Sequence, residues 1–566
     1  MKQNQDGLNN NFYIKIKFIE GIITMKMYSK KITAGILGDY YEKVKNTLLY
    51  DIDVEQHINT YVGEHSEWYA EPEFSGKYID ICVKIYEDTG LEIAIEHAKK
   101  VVDSVINNMR EDGYIGMLKK GNEFLNFSVW NQAFTIYGML SYYHITHEER
   151  VLESCEKCVQ YIMNYFVNDG NDILNCLNNG TEHSCILFIL SDLYSYTQNH
   201  LYIEYSDFIL DSFTNSDLNL LKFDSILNLR SKKGIEILVI LLGLVKYAEL
   251  TGNESIIHSV EKYWQEVYDT QIRNTGNGTL FEVWTENGNA PAMLDGEQKP
   301  NETCVAVGWI ELSLALFKLT KQTKYANAID KTLYNHLLAS ISPNGDDFAY
   351  YQPNFGKKIR TTNKGLYKCC RYRGFTLFAY MTEMLFFEDD KSIMSVIYTN
   401  CEYRSDSVRI IEKTDYPFNC NFTFEIDSYS DKHLKLRLPN GYNIKSFSIT
   451  DDTQYIINDG CIECFSNFGS HYKISMTLEP QLIVETGEID GKKVAAVSYG
   501  QVLLALLGDG SEIITDVKSL TLVDNLINEN YLLKFEGEAV KSGETSTVAL
   551  VDYSSADEYT VWFNIN

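Results

Sequence analysis

Two short stretches of this chain pair groups of the kind that hold metal ions. Glu302 and Cys304 stand two apart in NETCVAVGW, and Cys369 and Cys370 are adjacent in YKCCRYRG. Three thiolates and one carboxylate at tetrahedral distance make a good zinc site, because zinc takes sulfur and oxygen donors in four-coordinate geometry. Cys304 and Cys369 are 65 residues apart, so only the fold can bring the two pairs together. Packing is the competing reading, since free Cys also serves as a small buried hydrophobe. Residue types alone leave both readings open. Cys155/Cys158 and Cys461/Cys464 have CxxC spacing, but neither has a second ligand pair nearby, and both read as structural. HExxH, P-loop and GxGxxG patterns are absent. None of the 11 His falls into a ligand spacing.

Elements able to position those residues are legible upstream. From about residue 40 to 390 a helix, a Thr-centred turn and a second helix recur, with turn residues Thr89, Thr146, Thr197, Thr251 and Thr320. A hairpin of amphipathic helices cannot bury its apolar face alone, so recurrence implies stacking. Open solenoid and closed (α/α)6 barrel are the two solutions. Irregular spacing and a long insert at 269–303 favour the barrel, whose loops gather at one mouth. After Asp390 the pattern alternates with period two, as in FTFEIDS, LKLRLP and YKISMTLEP, which describes a β-sandwich. The expected division is an extension over 1–27, a helical barrel over 28–390 and a β-sandwich over 391–566, with the switch at 388–395.

Composition bounds the function. At 566 residues the chain is too long for one core. A formal net charge of −28 repels polyanions, so nucleic acid is excluded as a partner. No secretory leader and no apolar run of about 18 residues is present, which excludes membrane insertion and points to the cytoplasm. There, 12 Cys are expected as thiols. The 40 Tyr, 27 Phe and 6 Trp offer flat faces of the sort that stack on sugars, although most such rings are core material.

The segment from NETCVAVGWIELSLALFKLTKQTKYANAIDKTLYNHLLASISPNG through YYQP to CCRYRG resembles glycoside hydrolase family 127, the β-L-arabinofuranosidase family. Flanking elements extend the likeness over roughly residues 55–510: EDGYIGM, KYAELTGNESIIHSVEKYWQEVYDTQI, TDYPF and SYGQVLLAL. The resemblance implies that Glu302, Cys304, Cys369 and Cys370 hold Zn2+ and that Cys369 is the nucleophile of a retaining exo-glycosidase. A metal keeps such a thiol deprotonated at neutral pH, and sulfur then attacks the anomeric carbon.

Its acid/base partner is expected within LFEVWTENGNAPAMLDGEQKPNETC, where two glutamates compete. Glu286 keeps the family spacing of 16 residues before Glu302 but lacks the following aromatic; Glu282 has that aromatic at Trp284 and a loop four residues longer. Glu282 is preferred. Trp284, Trp130 and Tyr351 are hypothetical sugar-stacking residues. Helices that carry pocket His in the family read YGMLSYY and KKGIEILV here, without His, so the sugar itself is left open. Partners are limited to a small oligosaccharide or glycoside substrate and, at most, a second copy in a homodimer. Two other readings stand beside this one: an inverting carboxylate glycosidase with structural zinc, and a non-catalytic carbohydrate-binding protein on the same fold.

Overall fold

The computed structural model describes residues 29–64, 71–362, 369–450, 453–458, 460–523 and 530–566. The extension expected over 1–27 lies outside them. The N-terminal part is helical and the C-terminal part rich in β-sheet.

Twelve helices are arranged as an inner and an outer set. They are α1 Gly35–Asn46, α2 Glu71–Thr89, α3 Glu92–Asn108, α4 Ser128–Thr146, α5 Glu149–Met163, α6 Leu187–Thr197, α7 Leu201–Thr214, α8 Gly234–Thr251, α9 Glu254–Thr270, α10 Thr303–Thr320, α11 Thr323–Lys331 and α12 Cys369–Ala379. Inner helices α2, α4, α6, α8, α10 and α12 each pack on the next, and α12 returns to α2, which closes a ring. Each inner helix also packs mainly against one outer helix: α3, α5, α7, α9, α11 or, for α12, α1. Sequence explains the two layers. Inner α8 and α10 are apolar nearly all round, and α10 is long and apolar enough to cross a membrane, yet most of it is covered within the ring. Outer helices such as α5 and α9 have one apolar stripe and a charged face. Where α2 crosses α4, a Cβ on Gly76 would lie 2.2 Å from the Phe134 carbonyl, and one on Gly138 would lie 2.2 Å from that of Gly76. Only glycine allows this approach.

The five turn threonines have a common mechanism. Each donates its hydroxyl to the carbonyl four residues back, at 2.5 Å for Thr89, 3.0 Å for Thr146 and 2.8 Å for Thr197, Thr251 and Thr320. Gly90, His147, Gln198, Gly252 and Lys321 then adopt positive φ, so each helix stops in a left-handed cap. At four of the turns the same hydroxyl also accepts the backbone N–H two residues on. One residue thus satisfies the end of one helix and orients the chain into the next.

The change to strands begins at Phe386–Glu388. A six-stranded antiparallel sheet runs, in spatial order, Ser29–Ile32, Cys401–Arg404, Val408–Asp415, Asn419–Ser428, His471–Pro480 and Tyr442–Ile449. Its edge strand, Ser29–Ile32, precedes the helices in the chain and pairs with Cys401–Arg404, which follows them, so Ser29–Ile32, grouped by sequence with the helices, belongs to the β region. Alternate residues of Asn419–Ser428 and His471–Pro480 are buried, the period of two read from the sequence. A second sheet of five strands shares the same apolar core, and the last sheet, built mainly from residues 482–565, incorporates Phe355–Lys357 from the helical half. All 12 cysteines are free thiols, and Cys155, Cys158, Cys461 and Cys464 are buried.

Candidate metal and catalytic site

The two motif pairs occupy the N-termini of two neighbouring inner helices. Glu302 is the residue immediately before α10, Cys304 lies in its first turn, and Cys369 and Cys370 open α12. A helix start leaves backbone N–H groups unsatisfied and carries partial positive charge, so it favours thiolate and carboxylate. The Cys304 N–H donates to Cys370 Sγ at 3.3 Å. Cys370 Sγ lies 3.2 Å from Cys304 Sγ and 3.8 Å from Glu302 Oε1. Donor atoms of Glu302, Cys304, Cys369 and Cys370 all fall within 4.8 Å of one another.

These residues fit a metal. Glu302, Cys304 and Cys370 are buried, and among the described residues Glu302 Oε2 has no hydrogen-bond partner. A buried carboxylate oxygen without a partner is costly unless something else compensates it. The backbone around Glu302 is pinned: its carbonyl accepts Asn277 Nδ2 at 2.6 Å, its N–H donates to Thr279 Oγ1 at 3.3 Å, and the Thr303 N–H donates to the Tyr350 carbonyl at 3.0 Å. Three sulfurs and one carboxylate are the donor set of a borderline divalent cation.

Charge within the cluster is uneven. Burial, reinforced by the charge of Glu282, pushes the Glu302 carboxyl well up. Burial also raises Cys304 and Cys370. Cys369, by contrast, is held far below an ordinary thiol by hydrogen bonds from Cys304 and Cys370, with the Lys77 ammonium and the Tyr350 hydroxyl assisting against burial. Its Sγ is 3.4 Å from Tyr350 Oη. Negative charge therefore gathers on the one half-buried sulfur of the three.

Glu282 faces this cluster from a tight reverse turn. Leu280 and Val283 exchange hydrogen bonds at 3.1 and 3.0 Å, while Phe281 and Glu282 between them have φ of 47° and 70°. Two consecutive positive φ values are what a type I′ turn needs, and neither residue is glycine. The Glu282 carboxylate is ion-paired with Lys233 and accepts the Tyr351 hydroxyl at 2.5 Å. Burial disfavours the Lys233 ammonium, but Glu302, Glu282 and Glu236 outweigh it and hold that group charged. Glu236 is buried on α8, hydrogen-bonded by Asn178 and by Thr181 at 2.5 Å, and burial raises its carboxyl to about 7. Glu286 is exposed further along the loop.

The aromatic residues singled out from sequence separate. Tyr351 bonds Glu282, and the backbones of Tyr351 and Glu302 form a β-bridge. Trp130 packs against Phe134 with ring centroids 4.8 Å apart and bonds Glu73, which pairs with Lys77 beside Cys369. Trp284 is not a wall of the site: it is 1% exposed, and its indole N–H donates to Tyr263 Oη at 2.8 Å. Core packing occupies its faces, so the stacking role read for it is corrected. Phe281, next to Glu282, is the neighbouring aromatic ring that is exposed. Lys233, Lys77, Tyr350, Glu236 and Phe281 escaped the sequence reading. Lys233 had one signal, its place just before a long apolar helix.

Comparison with known proteins gives the family. The profile described as "Beta-L-arabinofuranosidase, GH127 catalytic domain" matches residues 24–383. A protein named non-reducing end β-L-arabinofuranosidase from Bifidobacterium longum subsp. longum is 20% identical over 451 residues, 67% of this chain and 66% of its own length, so the match spans about two-thirds of that relative. Among solved structures, a GH127 β-L-arabinofuranosidase from Geobacillus stearothermophilus T6 superposes with a TM-score of 0.74 at 15% identity, covering 95% of this chain and 100% of that one. A second, titled a GH127 β-arabinofuranosidase, gives 0.74 at 16% identity over 95% and 97%. With the catalytic-domain profile spanning well over half of its length, the chain belongs to glycoside hydrolase family 127.

Proposed function

We propose that this protein is a retaining exo-glycosidase that removes a terminal β-L-arabinofuranosyl or similarly shaped sugar from small glycans, with Cys369 as nucleophile and Glu282 as acid/base. The observation that carries this reading is the convergence of Glu302, Cys304, Cys369 and Cys370 within 4.8 Å, with Glu282, held by Lys233 and Tyr351, close enough to raise Glu302. The closed ring of α2, α4, α6, α8, α10 and α12 with its outer helices is read as an (α/α)6 barrel, and the β region as a sandwich.

Glu302, Cys304, Cys369 and Cys370 would hold zinc, which when bound keeps sulfur deprotonated and fixes its direction. The rest is done by protein groups. Cys369 Sγ attacks the anomeric carbon; the glycosidic C–O bond breaks, and Glu282 supplies the proton to the departing oxygen. A water then attacks the same carbon, Glu282 takes its proton, and the C–S bond breaks to return the thiolate. Two inversions give net retention. Lys233 and Tyr351 orient Glu282, and Lys77 stabilises negative charge at Cys369. Glu236 lies on the KKGIEILV helix, which lacks the pocket His that the family resemblance implies, and its carboxylate is the group we assign to sugar selection. A panel of nitrophenyl glycosides, assayed with and without chelator, tests the reading: release of one sugar, lost on chelation and restored by zinc, is expected. Mass spectrometry should locate a trapped sugar on Cys369. Unchanged turnover by Cys369→Ser with metal retained would reject the nucleophile.

A further inference from the structure

Away from the Glu302–Cys370 cluster, a second group of unlike donors converges between α5 and α6. Cys176 begins a turn in which Asn178 and Asn179 have φ of 53° and 60°, and the turn runs directly into Glu182 and His183. Cys176 Sγ accepts the His183 N–H at 3.4 Å. The three side chains each bring a donor atom within 4.8 Å of the others.

Two atoms in this group are buried and have no hydrogen bond among the described residues. Glu182 Oε1 accepts the Trp130 N–H at 2.8 Å, so one oxygen serves the start of α4. Its Oε2 accepts no hydrogen bond, although it faces His183 Nε2 at 3.1 Å. Among the described residues His183 Nδ1 is likewise without a hydrogen bond, while Nε2 also faces the Phe124 carbonyl at 3.2 Å. Glu182 is 0% and His183 3% exposed. Among the described residues no Lys or Arg forms an ion pair with Glu182. A fully buried carboxylate without a cation is expensive. Imidazole, carboxylate and thiol together are zinc ligands by type, with the half-buried Cys176 leaving room for solvent as a fourth.

We propose that Cys176, Glu182 and His183 form a second site for a borderline divalent cation, zinc above all, which ties the turn before α6 to the start of α4. The site does not depend on occupancy of the Glu302–Cys370 cluster.

Full-length protein dialysed against micromolar zinc would be analysed for metal per chain beside Cys176→Ala and Glu182→Gln variants, and wild-type crystals would be measured at the zinc absorption edge. The expected result is an anomalous peak between Cys176 and His183, and loss of about one metal equivalent from each variant relative to wild type. Because the readout is that difference, an empty Glu302–Cys370 cluster lowers the total and leaves the expected loss unaltered. No peak at this position overturns the proposal, as does equal metal content in wild type and variants. Should neither variant fold, the wild-type anomalous map alone decides.

Discussion

Arg437 and Asp330 form an ion pair 2.6 Å long with both side chains fully buried, one on strand His433–Arg437 and the other on α11. Arg437 also donates to Asn327 Oδ1 at 2.7 Å, and Tyr416 Oη donates to Asp330 Oδ2 at 2.8 Å. Breaking a buried pair from one side strands a charge, at a cost of about 3–5 kcal/mol. Asp330→Asn should lower denaturant stability by that order, while turnover per folded molecule at 25 °C stays close to wild type. Replacing both Asp330 and Arg437 with apolar residues of similar volume should recover much of the loss, because no unpaired charge remains. Urea unfolding read by fluorescence measures all three proteins.

Cys369→Ser should lower kcat/KM by about 10³-fold or more, in line with losing a nucleophile. Its metal content should be at most partly reduced, since Glu302, Cys304 and Cys370 remain. Cys370→Ser and Cys304→Ser should lose both metal and activity. Elemental analysis beside kinetics separates the two classes.

Glu282→Gln should reduce turnover of a glycoside with a poor leaving group by about 10²–10⁴-fold. With a nitrophenyl leaving group the first step should survive better, so a burst of nitrophenol followed by slow turnover is expected from stopped-flow measurement. Glu286→Gln should stay within about twofold of wild type. The reverse pattern would transfer the role to Glu286.

Glu236 makes a pH prediction with a definite sign. Its carboxyl is raised from 4.5 to about 7 by burial, so the folded state holds its proton longer than the unfolded chain does. That contribution is fully present below pH 4.5 and is lost as pH rises to about 7. Glu236→Gln removes the loss and should gain up to roughly 3 kcal/mol over wild type at pH 8 compared with pH 4. Thermal unfolding of both proteins across this range provides the check.

Much of the helical half was legible because its repeat is local: Thr89, Thr146, Thr197, Thr251 and Thr320 each end a helix by one hydroxyl bond, a device that needs no distant partner. The metal cluster was legible by residue type, and its two halves stand where a fold can hold them, on adjacent helix starts. The choice between Glu282 and Glu286 was not decidable in the same way. It depends on Phe281 and Glu282 both taking positive φ, a conformation that their side chains disfavour and sequence does not announce. Trp284 misled because an aromatic beside a loop glutamate looks like a sugar platform, whereas Tyr263 and the core claim it. Pairings such as Lys233 with Glu282 come from segments that meet only in the folded molecule.

The pairing of Ser29–Ile32 with Cys401–Arg404 has a consequence for biosynthesis and for protein engineering. The earliest described strand leaves the ribosome without its neighbour and waits for some 370 further residues before an edge is available to it. A fragment ended near residue 390 would carry that orphan edge into solution together with Phe355–Lys357, whose mate is Glu558–Thr560. Such fragments should aggregate, whereas circular permutants that bring the two strands closer in the chain should fold faster.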